Sequence, residues 1–169
     1  LHHRKPTSTP NVEEATHPIY VSNDKLVYDY YVTHNGVIDN AATTKKEFEL
    51  AGYEYNTIVQ EILRTKSGAE TVVKDMFNDS ESFAIDLAIA LEENKYSIKS
   101  TGSIAFIAVQ FNKENGSVSN IFFGRNYRNP LKIEQNDREL FISSEGGGKD
   151  VEPNKLFSYD IKTKEVKEV

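Results

Sequence analysis

The clearest hydrophobic pattern lies in "NDSESFAIDLAIALEENK", where Phe83, Leu87 and Leu91 recur every fourth residue. Ile85, Ile89 and three alanines widen that apolar face, so the segment predicts a well-buried helix. Asn78 is suited to cap it, and Glu81, three residues on, gives the pattern of a capping box. Upstream, the Val- and Tyr-rich run "LVYDYYVTHNG" predicts a strand. "AATTKKEFELAGYEY" predicts a short helix, with Thr43 or Thr44 as its cap and Gly52 as its stop. From Asn56 to Lys74 the pattern predicts a second, weaker helical region broken at Ser67-Gly68. Beyond the long helix only strand patterns follow: "SIAFIAVQF", "VSNIFFGR", "PLKIEQ", "ELFISS" and "KLFSYDI", closed by "KTKEVKEV". Asn115-Gly116 between the first two marks a hairpin. Residues 1–18 are interrupted by Pro6, Pro10 and Pro18 and predict irregular chain. Helices early and a strand meander late indicate an α+β fold with a largely antiparallel sheet.

Composition narrows the chemistry. A chain of 169 residues, 38% hydrophobic, is most simply one domain over 1–169 with a substantial core. No apolar run approaches the ~20 residues needed to span a bilayer, and no signal peptide opens the chain. The expectation is a cytoplasmic protein without a membrane partner. A net charge of −6 argues against a bulk electrostatic grip on nucleic acid. Cysteine is absent, which removes disulfides, thiolate metal sites and a cysteine nucleophile from this chain. His2, His3, His17 and His34 lack a helical His-x-x-x-His spacing, so no metal is expected. "EGGGK" at 145–149 lacks the spacing and the Ser/Thr of a phosphate loop.

Four segments stand apart from the packing pattern: "HHRKPTS" (2–8), "THP" (16–18), "THNGVIDN" (33–40) and "NDSE" (78–81). Read singly, each has a plain structural meaning. Asn35-Gly36 is a strong hairpin-turn signal, Asp79 is a dipole-favourable acid in a first helical turn, and Arg4 is a surface charge. Taken in order, and followed by "FFGRNYRNPLKI" and "LFISSEG", they resemble the glutaminase domain of class II glutamine amidotransferases, which are N-terminal-nucleophile hydrolases. The resemblance runs over nearly the whole chain. It implies an αββα sandwich of two largely antiparallel sheets, incomplete at its N-terminus here.

What the resemblance implies chemically is hydrolysis of the glutamine side-chain amide to glutamate and ammonia, the ammonia passing to a separate acceptor. An N-terminal cysteine attacks the amide carbon while its own α-amino group handles the proton. On that reading Arg4 forks onto the substrate α-carboxylate, and Thr7 and Ser8 add hydrogen bonds to it. Asp79 holds the substrate α-ammonium. Asn35, through its side-chain amide, and Gly36, through its backbone N–H, form the oxyanion hole. His17 and His34 support the site, and no cofactor is implied.

The sequence also departs from the family pattern. Leu1 cannot serve as the nucleophile, so the reading places a cysteine on a segment upstream of this chain. Removal of a strand would leave bare backbone groups on its neighbours, so a further polypeptide segment is expected to pair beside "LVYDYYV". An acceptor-domain protein is a further expected partner. Lys5 stands where an aromatic often sits, and Ser8-Thr9-Pro10 replaces a His-Gly turn. Residues 56–78 form an extra stretch, read as a lid or docking element. The competing reading is a catalytically inactive module that keeps the fold for a structural or protein-binding role.

Overall fold

The computed structural model describes residues 12–64, 71–94 and 97–169, with the side chains of 61–64 and 71–74 outside that description. In chain order the elements are β1 (Ile19–Val21), β2 (Tyr28–Ile38), α1 (Ala41–Leu50), β3 (Val59–Arg64), β4 (Thr71–Met76), α2 (Asp79–Glu92), β5 (Gly102–Asn112), β6 (Val118–Arg125), β7 (Lys132–Gln135), β8 (Leu140–Ser143), β9 (Lys149–Asp150), β10 (Lys155–Asp160) and β11 (Glu165–Glu168). Among the described residues a 3₁₀ turn, Glu13–Ala15, precedes them. Six strands form the main sheet in the order β1-β2-β5-β6-β10-β11, and every pairing in it is antiparallel. Strands β8-β7-β9 form a small second sheet, and β3-β4 a separate hairpin.

Period-two patterning decides the faces. On β2, Tyr30, Val32, His34 and Ile38 are buried, whereas Tyr31, Asn35 and Val37 are exposed. On β5, Ile104, Phe106 and Ala108 join the same buried face. Helix α2 lies against that face with Phe83, Ala84, Leu87, Ala88 and Leu91 in the core. It is covered on most sides, with Asp79, Ser80, Glu81, Ser82 and Asp86 buried beside its apolar residues. The opposite face carries Ala105 and Phe123, which pack with Leu131 and Val151 of the small sheet and its connections. The described residues therefore stack as helices, main sheet and small sheet.

Several expectations change. Helix α1 begins at Ala41, two residues before Thr43. Asn40 occupies the cap position, yet its side chain binds Lys99 O and Thr101 N–H across the fold instead of capping. Thr44 turns inward and donates to Ala41 O. The stop at Gly52 is as expected. Gly52 adopts φ +84°, its N–H reaches Glu49 O and Tyr53 N–H reaches Phe48 O, with Phe48 and Tyr53 in ring contact. That is a Schellman ending with its hydrophobic contact.

The second helical region is not helical. Residues Val59–Arg64 and Thr71–Met76 pair as an antiparallel hairpin, Ile62 opposite Val73. The β-branched residues Val59, Ile62, Thr71, Val72 and Val73 favour strand, and the break expected at Ser67-Gly68 lies outside the described residues. Asn115-Gly116 does turn the chain between β5 and β6, with Gly116 at φ +67°.

Candidate active site

The site gathers where the end of β2 meets the start of α2. Asn78 caps the helix by accepting Ser80 N–H at 3.1 Å. Its Nδ2 donates to Ala15 O at 2.8 Å, which ties the 3₁₀ turn Glu13–Ala15 to the helix start. The capping-box reading of Glu81 is corrected. Its carboxylate does not return to the cap; it accepts Asn56 N–H at 2.6 Å, Thr57 N–H at 3.0 Å and Thr57 Oγ1–H at 2.6 Å. This fully buried carboxylate fixes the segment that leads into the β3-β4 hairpin.

Asp79 is buried in the first turn of α2, and its Oδ2 accepts Ile38 N–H at 2.7 Å. His34 lies four residues earlier on the same strand, 3% exposed, with its ring 5.0 Å from that of Phe83. Its Nε2 meets Ser103 O at 3.1 Å and its Nδ1 meets Ser80 Oγ at 2.9 Å. A carbonyl can only accept, so Nε2 carries the proton and Nδ1 accepts from the Ser80 hydroxyl. Burial holds the His34 imidazole below its ordinary pKa and keeps it neutral. His34 is thus a clamp between α2 and β5.

Asn35-Gly36 is no turn. Both residues lie inside β2, paired with Ala105 and Ile104 of β5. Gly36 adopts φ +151°, and a Cβ there would stand 1.7 Å from Ser103 O. Only glycine lets the two strands approach so closely. The direction of its amide follows from the ladder. Ile104 gives its N–H to Asn126 Oδ1 at 3.1 Å and accepts Asn126 N–H at 2.8 Å, so its polar groups face away from β2. In an antiparallel pair of that kind the opposite residue also turns its groups away. Gly36 N–H therefore points from β5 toward the outer edge of β2. Ile38 N–H points the same way, and Asp79 receives it.

That outer edge is paired over only part of its length. Beside "LVYDYYV", where a further segment is expected, the chain's own β1 lies opposite Tyr30, Tyr31 and Val32, which corrects that placement; among the described residues the stretch with no strand on its outer side is Thr33–Ile38. The Asn35 side chain emerges on the face opposite α2. There it lines a cavity of about 420 Å³ with Thr33, Ile107, Ile142, Ser144 and Glu145. His17 is half-buried and lies just before β1. Arg4, Thr7 and Ser8 lie outside the described residues. Among the described residues no group of three or more His, Asp and Glu side chains is placed to hold a metal ion. No described helix is long and apolar enough to cross a membrane.

The sequence matches no protein-family model and no curated protein. Solved structures do share its architecture. The glutamine phosphoribosylpyrophosphate amidotransferase from B. subtilis, complexed with ADP and GMP, superposes with a TM-score of 0.63 at 17% identity, over 99% of this chain and 33% of that one. The allosteric regulatory enzyme of purine biosynthesis superposes with a TM-score of 0.60, also at 17% identity, over 92% of this chain and 31% of that one. The chain has a glutamine amidotransferase fold. It spans about a third of the length of those two structures.

The residues that sequence reasoning missed are those that hold the site from outside it. Ser103 takes Val37 N–H on its Oγ and His34 on its carbonyl. Asn126 bridges Gly102 O, Ile104 and Arg128 N–H. Asn129 Nδ2 donates to Asn35 O. Nothing in the local sequence marks them, although "NYRN" between two strand patterns is dense in amide side chains. Arg125 has a bracing role: its Nε donates to Val151 O, and its guanidinium reaches Asn129 O at 3.4 Å.

Proposed function

We propose that this chain is the larger part of a glutaminase domain of the N-terminal-nucleophile type. It would hydrolyse the side-chain amide of glutamine and deliver ammonia to a separate acceptor protein. The nucleophilic cysteine belongs to a segment outside this chain, paired along the outer edge of β2. That segment would extend the main sheet, and the αββα sandwich is the architecture this reading gives the whole domain.

The observation that carries the reading is the shared edge of Gly36 N–H and Asp79. Two outward amides on one strand lie about 7 Å apart, and Asp79 sits at the second of them. In glutamine the side-chain carbonyl carbon and the α-nitrogen are separated by about 5 Å. One substrate can thus present its carbonyl oxygen to Gly36 and its ammonium to Asp79. A carboxylate offers about four acceptor positions, so Asp79 can serve both Ile38 N–H and the ammonium.

The cysteine's own α-amine takes the thiol proton as sulfur adds to the amide carbon, and the negative charge that develops on oxygen meets Gly36 N–H and the Asn35 amide. The tetrahedral species collapses as the amide nitrogen takes that proton from the cysteine's α-ammonium and leaves as ammonia, its bond to carbon breaking to give the thioester. Water, deprotonated by the same amine, then hydrolyses the thioester to glutamate. Arg4, Thr7 and Ser8 bind the substrate α-carboxylate in this scheme.

The test uses the full-length protein, incubated with glutamine and with an electrophilic glutamine analogue. Ammonia release and a covalent adduct on the upstream cysteine are the expected results. Neither ammonia nor adduct would leave the inactive, structural module as the correct reading.

A further inference from the structure

The peptide that supplies the proposed oxyanion donor is held by a residue remote in sequence. Gly36 N–H shares its planar trans peptide unit with Asn35 C=O, and the two point in opposite directions. Whatever fixes the carbonyl therefore aims the N–H. Asn35 O receives the side-chain amide of Asn129.

We infer that Asn129 is a positioning residue for the Gly36 oxyanion donor. This rests on the glutaminase reading above. Asn129 sits in the loop between β6 and β7, and that loop is braced on three sides. Asn126 binds both backbone groups of Ile104 and donates to Gly102 O at 2.8 Å. Arg125 reaches Asn129 O while its Nε is held by Val151 O. Arg128 Nη1 pairs with Asp39 Oδ2 at 3.4 Å, just past the end of β2. The loop is thus fixed to β5, to the small-sheet side and to β2 before Asn129 reaches Asn35.

The need for such a brace follows from Gly36 itself. Its backbone lies at a φ that only glycine adopts easily, and glycine imposes the least restraint on the adjoining peptide plane. The next amide along, Val37 N–H, goes to the Ser103 hydroxyl. The Asn35 carbonyl faces its ladder partner Ala105, and Asn129 is the side chain that adds a second restraint to the unit carrying the donor. An oxyanion donor contributes only when its direction is set before the charge develops.

The experiment compares full-length wild type with Asn129→Ala and Asn129→Gln. Amide hydrogen exchange and the ¹H–¹⁵N signal of Gly36 are followed beside glutaminase kinetics. In Asn129→Ala the Gly36 signal moves, while exchange across α2 and β5 keeps its wild-type rates. kcat falls ~10–100-fold with KM within about twofold, and Asn129→Gln recovers part of the loss. A Gly36 signal and kcat both unchanged in Asn129→Ala would overturn the inference. So would a loss of exchange protection spread evenly through the fold. If wild type releases no ammonia while the Gly36 signal still responds to Asn129→Ala, the glutaminase reading fails and the coupling of Asn129 to that peptide stands.

Discussion

Asp79 Oδ2 and Ile38 N–H lie 2.7 Å apart, which joins the first residue of α2 to the last residue of β2. Asp79→Asn separates the two duties proposed for this side chain. The amide oxygen of asparagine can still accept Ile38 N–H, so the thermal midpoint stays within a few degrees of wild type. The negative charge facing the substrate ammonium is lost. A charge-assisted hydrogen bond contributes about 1.5–3 kcal/mol, so kcat/KM for glutamine falls about 10- to 100-fold, mainly through KM. Steady-state kinetics beside a melting curve check both halves.

Asn35→Ala addresses the other donor. Asn35 is exposed and its side chain lines the cavity beyond β2. Its removal leaves the core untouched and stability within about 0.5 kcal/mol of wild type. Loss of one oxyanion donor costs about 10²–10³ in kcat. An unchanged kcat in an active protein would remove Asn35 from the oxyanion hole.

Gly36→Ala is expected to fail at the level of folding. The added methyl would stand 1.7 Å from Ser103 O and 2.8 Å from His34 Nε2, on a backbone at φ +151°. Both neighbours are held, one as backbone and the other by Ser80. A loss above about 3 kcal/mol is expected, read from chemical denaturation of the purified variant or from its failure to accumulate in soluble form.

The buried His34 gives the fold a pH dependence with a definite sign. Desolvation lowers its pKa in the native state below the ordinary 6.5. The unfolded chain therefore binds this proton first as the pH falls. Native stability is intact above about pH 6.5 and declines below it, by at most about 1.4 kcal/mol per pH unit for this one group. Denaturation midpoints between pH 5 and 8 measure the slope, and His34→Gln flattens the part that His34 contributes. An identical slope in the variant would assign it elsewhere.

Glu81→Ala tests whether this carboxylate holds residues 56–57 against the start of α2. It strips acceptors from Asn56 N–H, Thr57 N–H and the Thr57 hydroxyl in a buried location. A destabilisation of about 2–4 kcal/mol is expected from groups left without partners. An exposed capping-box glutamate would cost only about 1 kcal/mol.

These residues show where the sequence is legible. Helix α2 is plain because its apolar spacing and its Asn78 cap are local facts. The late strands are plain for the same reason. The β3-β4 hairpin is misread because charged residues and a central Ser-Gly imitate a broken helix, while its β-branched residues carry the decisive signal. Asn35-Gly36 looks like a turn because the dipeptide usually makes one. Here the glycine is required by Ser103, 67 positions away, which no local pattern reveals. Glu81 has the right spacing for a cap, yet its partners are chosen by where residues 56–57 cross the helix. Asn129 and Asn126 are invisible for the same reason: their partners are strand backbones brought near only by the sheet.

Helix α2 is secured to β2 at both extremities. At one end Asp79 takes Ile38 N–H; at the other Glu92 Oε1 takes Tyr28 N–H at 3.0 Å and the Tyr30 hydroxyl at 2.9 Å. The helix therefore acts as a caliper for the strand. Inserting or deleting one residue between its two jaws rotates one of them by about 100° and breaks that grip. Changes of side chain along the helix can be absorbed, but its length is fixed by the strand it measures.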